Sequence, residues 1–333
     1  MILRLFSGGR FVNAFLIVLL SLLLWLPSFL GPERIDFIGP AQPMPFYAYL
    51  AGLFKDSFFL ARGFSLLFIL IQAFLLVRLN GRYILIQDRN FMPAFFFIVL
   101  TSFYEPLLNF SSLLFGSFFF IFLLDLLFSV YKKEANSYRF FEAGLLLGIG
   151  SLFYSRLIYF LPFIWVASLI LRPFYWREWL FPVLGLILPY LFYIAGYFLA
   201  DKDPLYIIDL LLNNLQHYQY SFTFNWQSMI PFGYSALLIF IASIYMLRVF
   251  QFRKVYIRQY YLVFFWLFVF AAIYFFVLKK SGLGLIYIMG IPVAYILSNY
   301  FMNSKKSFGN RLLFFLLLIL ALLNMLNNVY GWV

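Results

Sequence analysis

The sequence predicts an all-α, polytopic integral membrane protein with about eleven transmembrane helices, and three observations predict it. Of the 333 residues, 65% are hydrophobic and 11% are charged, whereas a soluble domain has roughly 45–50% apolar and about 25% charged residues. The apolar residues number about 216, enough for ten or eleven spans of about 20 residues each. Eleven apolar runs follow one another with short polar connections, so we expect residues 1–333 to form a single transmembrane domain.

The first apolar run, Val12–Leu30, follows Arg4 and Arg10 and lacks a small-residue cleavage site, which predicts a retained first span. The other ten predicted spans lie near residues 60–77, 91–107, 110–130, 140–154, 157–171, 179–200, 229–247, 259–278, 284–302 and 312–329.

The basic residues indicate the orientation of these spans, because Lys and Arg are retained on the cytoplasmic side. With a cytoplasmic N-terminus, 17 of the 24 Lys and Arg residues fall on the inner side. The net charge of +12 is therefore mainly a topology signal, and nucleic acid is not an expected partner.

Two predicted outer segments are longer than a turn. Residues 31–59 are rich in Gly and Pro and end in the amphipathic stretch Phe46–Phe59, which predicts an interfacial helix. Residues 201–228 contain a second candidate, Leu205–Leu215, in which Asp209, Asn213 and Asn214 share a polar side.

Composition also excludes several kinds of site. The chain has no cysteine and one histidine, so disulfides, thiolate metal sites and motifs with two imidazoles are excluded. It contains no Walker loop and no paired halves of the kind found in many transporters. Asp125 is expected to pair with a cation at its own end of the bundle or on a neighbouring helix, and Gly144 and Gly148 are expected to allow close helix packing.

Candidate chemistry lies in the outer turns, where acids and cations fall on one face of the membrane. Glu33 and Asp36 follow the first span, and Glu105 lies in a tight turn between spans three and four. Arg156 and the pair Lys279–Lys280 occupy two other outer turns. Carboxylates facing cations could form a site for an anionic lipid headgroup and a general base. Each acid alone could equally serve only the polar rim of the protein.

This arrangement resembles the GT-C class of membrane glycosyltransferases, which transfer a sugar from a polyprenyl-phosphate carrier on the outer side of the membrane. In that class an essential acid follows span one, before helices along the surface; here that segment is Leu30–Asp36, followed by Phe46–Phe59. Glu105 matches a second acidic position, and the segment from Glu142 to Arg172 resembles the glycine-containing span and short re-entry of the class. Lys279–Gly282, followed by Tyr287 and Pro292, resembles its basic turn and the helix that faces the lipid phosphate.

The resemblance implies a bacterial inner-membrane enzyme with Asp36 or Glu33 as the base and Glu105 as a helper that orients the acceptor or a metal. Arg156, Lys279 and Lys280 would hold the lipid phosphate. The expected partners are a polyprenyl-phosphate-linked sugar and membrane lipid. No cofactor is required, and a divalent metal stays an open alternative.

Tyr287 is the remaining candidate on the lipid side, and His217 is a further candidate for substrate binding, although a surface histidine is the simpler interpretation. The alternative function is a non-catalytic GT-C-like subunit or scaffold with a partner in a cell-envelope assembly. A lipid or solute transporter ranks third. The Phe-, Tyr-, Asn- and Lys-rich composition also resembles uncharacterised integral membrane proteins of Bacteroidota, which leaves the role open.

Overall fold

A computed structural model describes residues 11–30, 42–86, 90–132, 137–216, 226–277, 284–304 and 308–330, and within these ranges the chain is all-helical. Eight of the described helices are long and apolar enough to cross a membrane. The prediction of an all-α chain is thus confirmed for these residues, and the eight long helices are compatible with the predicted multi-pass membrane protein.

The elements are numbered here along the chain, and short 3₁₀ helices cover Glu105–Leu108, Ser155–Phe160 and Phe250–Phe252. The α-helices are α1 (Phe11–Leu30), α2 (Pro45–Leu53), α3 (Phe58–Tyr83), α4 (Met92–Thr101), α5 (Ser112–Ser129), α6 (Tyr138–Ser151), α7 (Leu161–Leu171), α8 (Arg177–Leu199), α9 (Tyr206–Gln216), α10 (Trp226–Val249), α11 (Val255–Val277), α12 (Leu285–Asn303) and α13 (Phe308–Tyr330).

The difference between eight long helices and eleven predicted spans comes from α4, α6 and α7, which have 10, 14 and 11 residues. A helix that crosses about 30 Å of hydrocarbon needs about 20 residues. These three helices lie where apolar runs were predicted, but each is too short to qualify as a span by itself.

Side-chain bonds define the two ends of the bundle. At one end, called the Arg82 end, Arg82 pairs with Asp125 of α5, as expected for Asp125, and Tyr260 donates to the carbonyl of Phe128 at 3.3 Å. At the opposite end, called the Glu105 end, Ser28 of α1 and Tyr287 of α12 both donate to the 3₁₀ helix that begins at Glu105.

Helix α12 lies at the centre of the bundle, with 83% of its span buried. It packs against α4, α10 and α11. Every residue of α4 is buried, and the rings of Phe95 and Phe96 stack on Phe314 of α13 and Phe301 of α12 at centroid distances of 5.3 Å in both pairs. The short helix α4 is therefore enclosed by protein.

Helices are present in both stretches where surface helices were predicted, with corrected details. Helix α2 ends at Leu53, and α3 begins at Phe58, so the predicted interfacial stretch Phe46–Phe59 is a shorter helix followed by a turn. Helix α9 matches the second prediction closely, with Asp209 and Asn213 exposed. Asn214, however, is 3% exposed and lies on the buried side, because its amide binds the 42–44 segment.

The closest helix contact joins α6 and α8 through glycines on both helices. A methyl group at Gly148 would lie 2.6 Å from the carbonyl oxygen of Leu186, and one at Gly144 or Gly185 would overlap the backbone of the facing helix. The expected role of Gly144 and Gly148 in packing is therefore confirmed, and Gly185 is their partner on α8. Backbones that approach this closely gain dispersion contacts that larger residues prevent.

We expect Gly185→Ala to lower the apparent melting temperature of the purified protein by several degrees, because the added methyl group must push α6 away from α8. Gly196→Ala is the matched control on the same helix, since nothing lies within 4 Å of its added methyl group. That change should be neutral or slightly stabilising through helix propensity. Equal melting temperatures for the two variants would contradict the close contact.

Candidate functional site

The most unusual feature of the Glu105 end is a break in the helical backbone between α4 and α5. Residues 102–111 contain only a four-residue 3₁₀ helix, although α4 before them is wholly buried. Within a bilayer, non-helical backbone is tolerated where protein groups or water satisfy its polar atoms. The carbonyls of this segment, called the 103–110 turn, therefore need donors from elsewhere.

Five side chains from five helices supply donors to the 103–110 turn and the first residues of α5. Each donates to a backbone carbonyl, and the helices involved are α13, α12, α1, α2 and α3. The bonds are Asn324 Nδ2 to Phe103 at 2.6 Å, Tyr287 Oη to Leu107, Ser28 Oγ to Leu108 at 2.7 Å, Tyr47 Oη to Phe110 at 3.0 Å and Gln72 Nε2 to Leu114 at 2.7 Å. Four helices are thus joined at the turn, and α3 is joined to the adjoining start of α5.

Several of the predicted site residues lie in the turn or in segments that adjoin helices bound to it. Glu105 is its first 3₁₀ residue. Ser28 lies two residues before the end of α1, from which the chain continues to Glu33 and Asp36; Tyr287 lies in the first turn of α12, which follows Lys279 and Lys280. The end of α1 and the beginning of α12, which adjoin these two segments, therefore meet at the 103–110 turn.

The residues of those two segments themselves, Glu33, Asp36, Lys279 and Lys280, lie outside the described residues, as does His217. Their predicted roles stay predictions.

An apolar groove adjoins the turn. It encloses about 500 Å³ between α10 and α11, with α12 as its base and Leu100, Phe103 and Tyr104 at one end. Its polar side chains are the hydroxyls of Tyr104, Ser235 and Ser243. Helices α10 and α11 each pack on α12, and the groove occupies the space between them.

The groove opens at the side of the bundle and is partly closed by aromatic rings at the Glu105 end. Phe240 and Phe276, on its two rims, are 67% and 73% exposed, which indicates an opening towards the membrane. Near the turn, the ring of Phe232 lies 4.5 Å from Tyr104 and 6.4 Å from Phe275. An apolar chain entering from the bilayer would therefore meet these rings before it reached the turn.

Arg156 lies at the same end of the protein but does not line the groove. It is 5% exposed, and its Nε donates to the backbone carbonyl of Asn214 at 3.4 Å. The Asn214 amide in turn donates to the carbonyl of Gln42 at 2.9 Å. Arg156 therefore helps to hold α9 and the end of the first outer segment together, and its predicted contact with a lipid phosphate stays a prediction.

Tyr287 is placed beside the predicted site but with its hydroxyl engaged. It is fully buried, and the hydroxyl donates to Leu107, whereas its neighbours Ile286 and Met289 line the groove. The structure thus gives Tyr287 a positioning role for the turn. Among the described residues no group of three His, Asp or Glu side chains could hold a metal ion.

Sequence reasoning placed the turn at Tyr104–Pro106 but missed the donors around it. Gln72 and Asn324 could have been noticed, since polar amides within apolar runs usually face a partner inside the bundle. Tyr287 was singled out as a candidate on the lipid side, but its bond to the turn was not expected, and nothing in the sequence indicated the bond from Tyr47.

We expect Tyr287→Phe to destabilise the protein by about 1–2 kcal/mol, because the carbonyl of Leu107 would lose a donor where water is scarce. Tyr49→Phe is the control, since Tyr49 is 69% exposed on α2. The free energy of unfolding of both variants is measured by reversible unfolding with a denaturing detergent in mixed micelles. A Tyr287→Phe variant as stable as the control would contradict the role given to this bond.

No protein-family model, no curated protein and no solved structure matches the chain. The groove and the 103–110 turn are accordingly the features from which its function is inferred.

Proposed function

We propose that the chain is a GT-C-like glycosyltransferase that takes a sugar from a polyprenyl-phosphate carrier, with the hydrocarbon of the carrier held in the groove between α10 and α11. One observation carries the proposal: an apolar groove opens at the side of the bundle and ends at Phe103 and Tyr104, next to Glu105 in the 103–110 turn. This is the geometry that a lipid-borne substrate needs, because its chain must stay in hydrocarbon while its head reaches polar groups.

The dimensions of the groove suit such a chain. Its lining on α10 runs from Phe232 to Ser243, a length of about 16 Å along a helix. A volume of about 500 Å³ lies within the range of roughly 300–1,000 Å³ seen for small-molecule pockets. The part of an isoprenoid chain next to its head would fill the groove, and the remainder would lie in the bilayer.

The chemistry follows from the groups expected beside the turn. Asp36 or Glu33 would accept the proton of an acceptor hydroxyl while the acceptor oxygen bonds to the anomeric carbon of the sugar. The bond from that carbon to the phosphate oxygen would break at the same time, and Lys279 and Lys280 would stabilise the departing polyprenyl phosphate. Glu105 would orient the acceptor or a metal ion. The result is inversion at the anomeric carbon.

The distribution of basic residues between the two ends supports one orientation of the protein in the membrane. Of the described cations, eleven lie at the Arg82 end, and four, Lys55, Arg62, Arg156 and Lys202, lie at the Glu105 end. By the positive-inside rule, this distribution supports a cytoplasmic Arg82 end and N-terminus, with the groove's polar end outside. In a bacterium this is the inner membrane.

We expect a membrane-impermeant thiol reagent to label Lys202→Cys, but not Lys254→Cys, in intact cells. The chain has no cysteine of its own, so each variant carries one thiol. Permeabilised cells serve as the control, and both positions should be labelled in them. Labelling of Lys254→Cys alone in intact cells would reverse the orientation.

We expect Ala236→Phe to weaken binding of undecaprenyl phosphate at least ten-fold, because Ala236 lines the groove and the added ring would fill it. Leu237→Phe is the matched control: the residue is next in α10, is 50% exposed and does not line the groove. Binding is measured by displacement of a fluorescent polyprenyl phosphate from protein in nanodiscs. Equal affinities for the two variants would remove the groove from the proposal.

The double change Glu33→Gln and Asp36→Asn separates the enzyme from its alternatives. It should retain undecaprenyl phosphate binding and abolish incorporation of sugar from polyprenyl-phosphate-linked donors in membranes. Full incorporation by the double variant would end the assignment of the base. Absence of both binding and transfer in the unaltered protein would favour a non-catalytic envelope subunit.

A further inference from the structure

Positive charge accumulates without acidic residues in the last four helices. From residue 210 to residue 333 the chain has nine Lys and Arg residues and no Asp or Glu. Five of these cations are described at the Arg82 end: Arg248, Arg253, Lys254, Arg258 and Arg311. A positive-inside signal needs cations on that side but does not require that acids be absent.

The described acids at the Arg82 end are engaged on the other half of the bundle. Asp125 pairs with Arg82, Glu142 with Arg139 at 3.0 Å, and Glu178 with the buried Arg172 at 2.7 Å. All six residues lie in the part of the chain that runs from α3 to the start of α8. Within the described part of the chain, no carboxylate lies within ion-pair distance of Arg248, Lys254 or Arg258; Asp88 and Glu134 lie outside it.

The short connection between α10 and α11, residues 250–254, and the residues on either side of it combine cations with exposed apolar groups. Phe252 is 86% exposed and Val255 is 49% exposed, and Arg248 and Lys254 beside them are also exposed. Exposed aromatic and aliphatic groups interleaved with cations are typical of a segment at the boundary of headgroups and acyl chains. There the ring enters hydrocarbon while the cations reach the phosphate level.

Arg253 fixes this connection to the bundle. Its Nη2 donates to Oδ1 of Asn299 at 2.7 Å, and Asn299 is 1% exposed, with its own amide directed at Sδ of Met246 at 2.8 Å. The connection is thereby tied to the ends of both α10 and α12. Lys254 and Arg258 are four residues apart and so lie on one side of the chain as α11 begins.

We propose that the α10–α11 connection binds the headgroup of an anionic phospholipid, with Arg248, Lys254 and Arg258 around its phosphate. Juxtamembrane clusters of Lys and Arg recognise anionic lipids in this way, and the apolar side chains beside the cluster favour a lipid over a soluble anion. The site is independent of the proposed glycosyl transfer, because it lies at the opposite end of the bundle from the 103–110 turn.

The test compares two triple variants at the same end of the protein, each with three cations replaced by glutamine. Arg248→Gln, Lys254→Gln and Arg258→Gln remove the proposed site. Arg78→Gln, Lys132→Gln and Arg177→Gln remove three exposed cations from the other half. Native mass spectrometry counts phosphatidylglycerol retained by protein released from nanodiscs of 70% phosphatidylcholine and 30% phosphatidylglycerol.

We expect the first triple variant to lose at least half of the retained phosphatidylglycerol and the second to match the unaltered protein. The proposal would be overturned if the two variants retained the same amount of phosphatidylglycerol, whether or not that amount was reduced. It would also be overturned if the unaltered protein retained as much phosphatidylcholine as phosphatidylglycerol. If the first variant does not fold, Phe252→Ser with Lys254→Gln replaces it, because both side chains are exposed; unchanged retention there would also overturn it. Competition by millimolar glycerol phosphate would instead indicate a site for a soluble anion and would contradict a lipid site.

Discussion

The carbonyl oxygens of the 103–110 turn impose the constraint on which this fold depends. A helix satisfies its own backbone, but this segment interrupts the helical run inside the bundle, so its acceptors must be satisfied by other parts of the chain. Donors from α1, α2, α12 and α13 do so, and Gln72 of α3 donates to Leu114 just beyond the turn. Individual bonds of this kind are modest in a membrane, but together they determine where five helices meet.

The same constraint shapes the candidate site. Tyr287 ties the beginning of α12 to the turn, and α12 is the base on which α10 and α11 pack. The groove between those helices therefore ends at Phe103 and Tyr104 rather than elsewhere along the bundle. The segment that carries Glu105 and the helices that line the groove are consequently connected through α12.

The sequence predicted the features that depend on local pattern. Apolar runs located the long helices, the amphipathic pattern located α9, and the spacing of Gly144 and Gly148 indicated a close helix contact, whose partner the structure identifies as α8. The sequence did not show that α4 is enclosed on all sides, since a buried apolar run and a lipid-facing one have the same composition. It likewise could not show that Asn214 turns inward to bind Gln42 and Arg156, because that pairing joins residues 172 and 58 positions apart. Tertiary contacts of this kind carry no local signal.

The central position of α12 has a consequence for how the protein is made. Of the eight candidate spans, α12 has the lowest hydropathy and the largest buried share. Contact with the other helices therefore suits α12 better than contact with lipid does. Helix α12 is also synthesised after α10 and α11. The groove between α10 and α11 therefore gains its base only once α12 has followed both of its walls into the membrane.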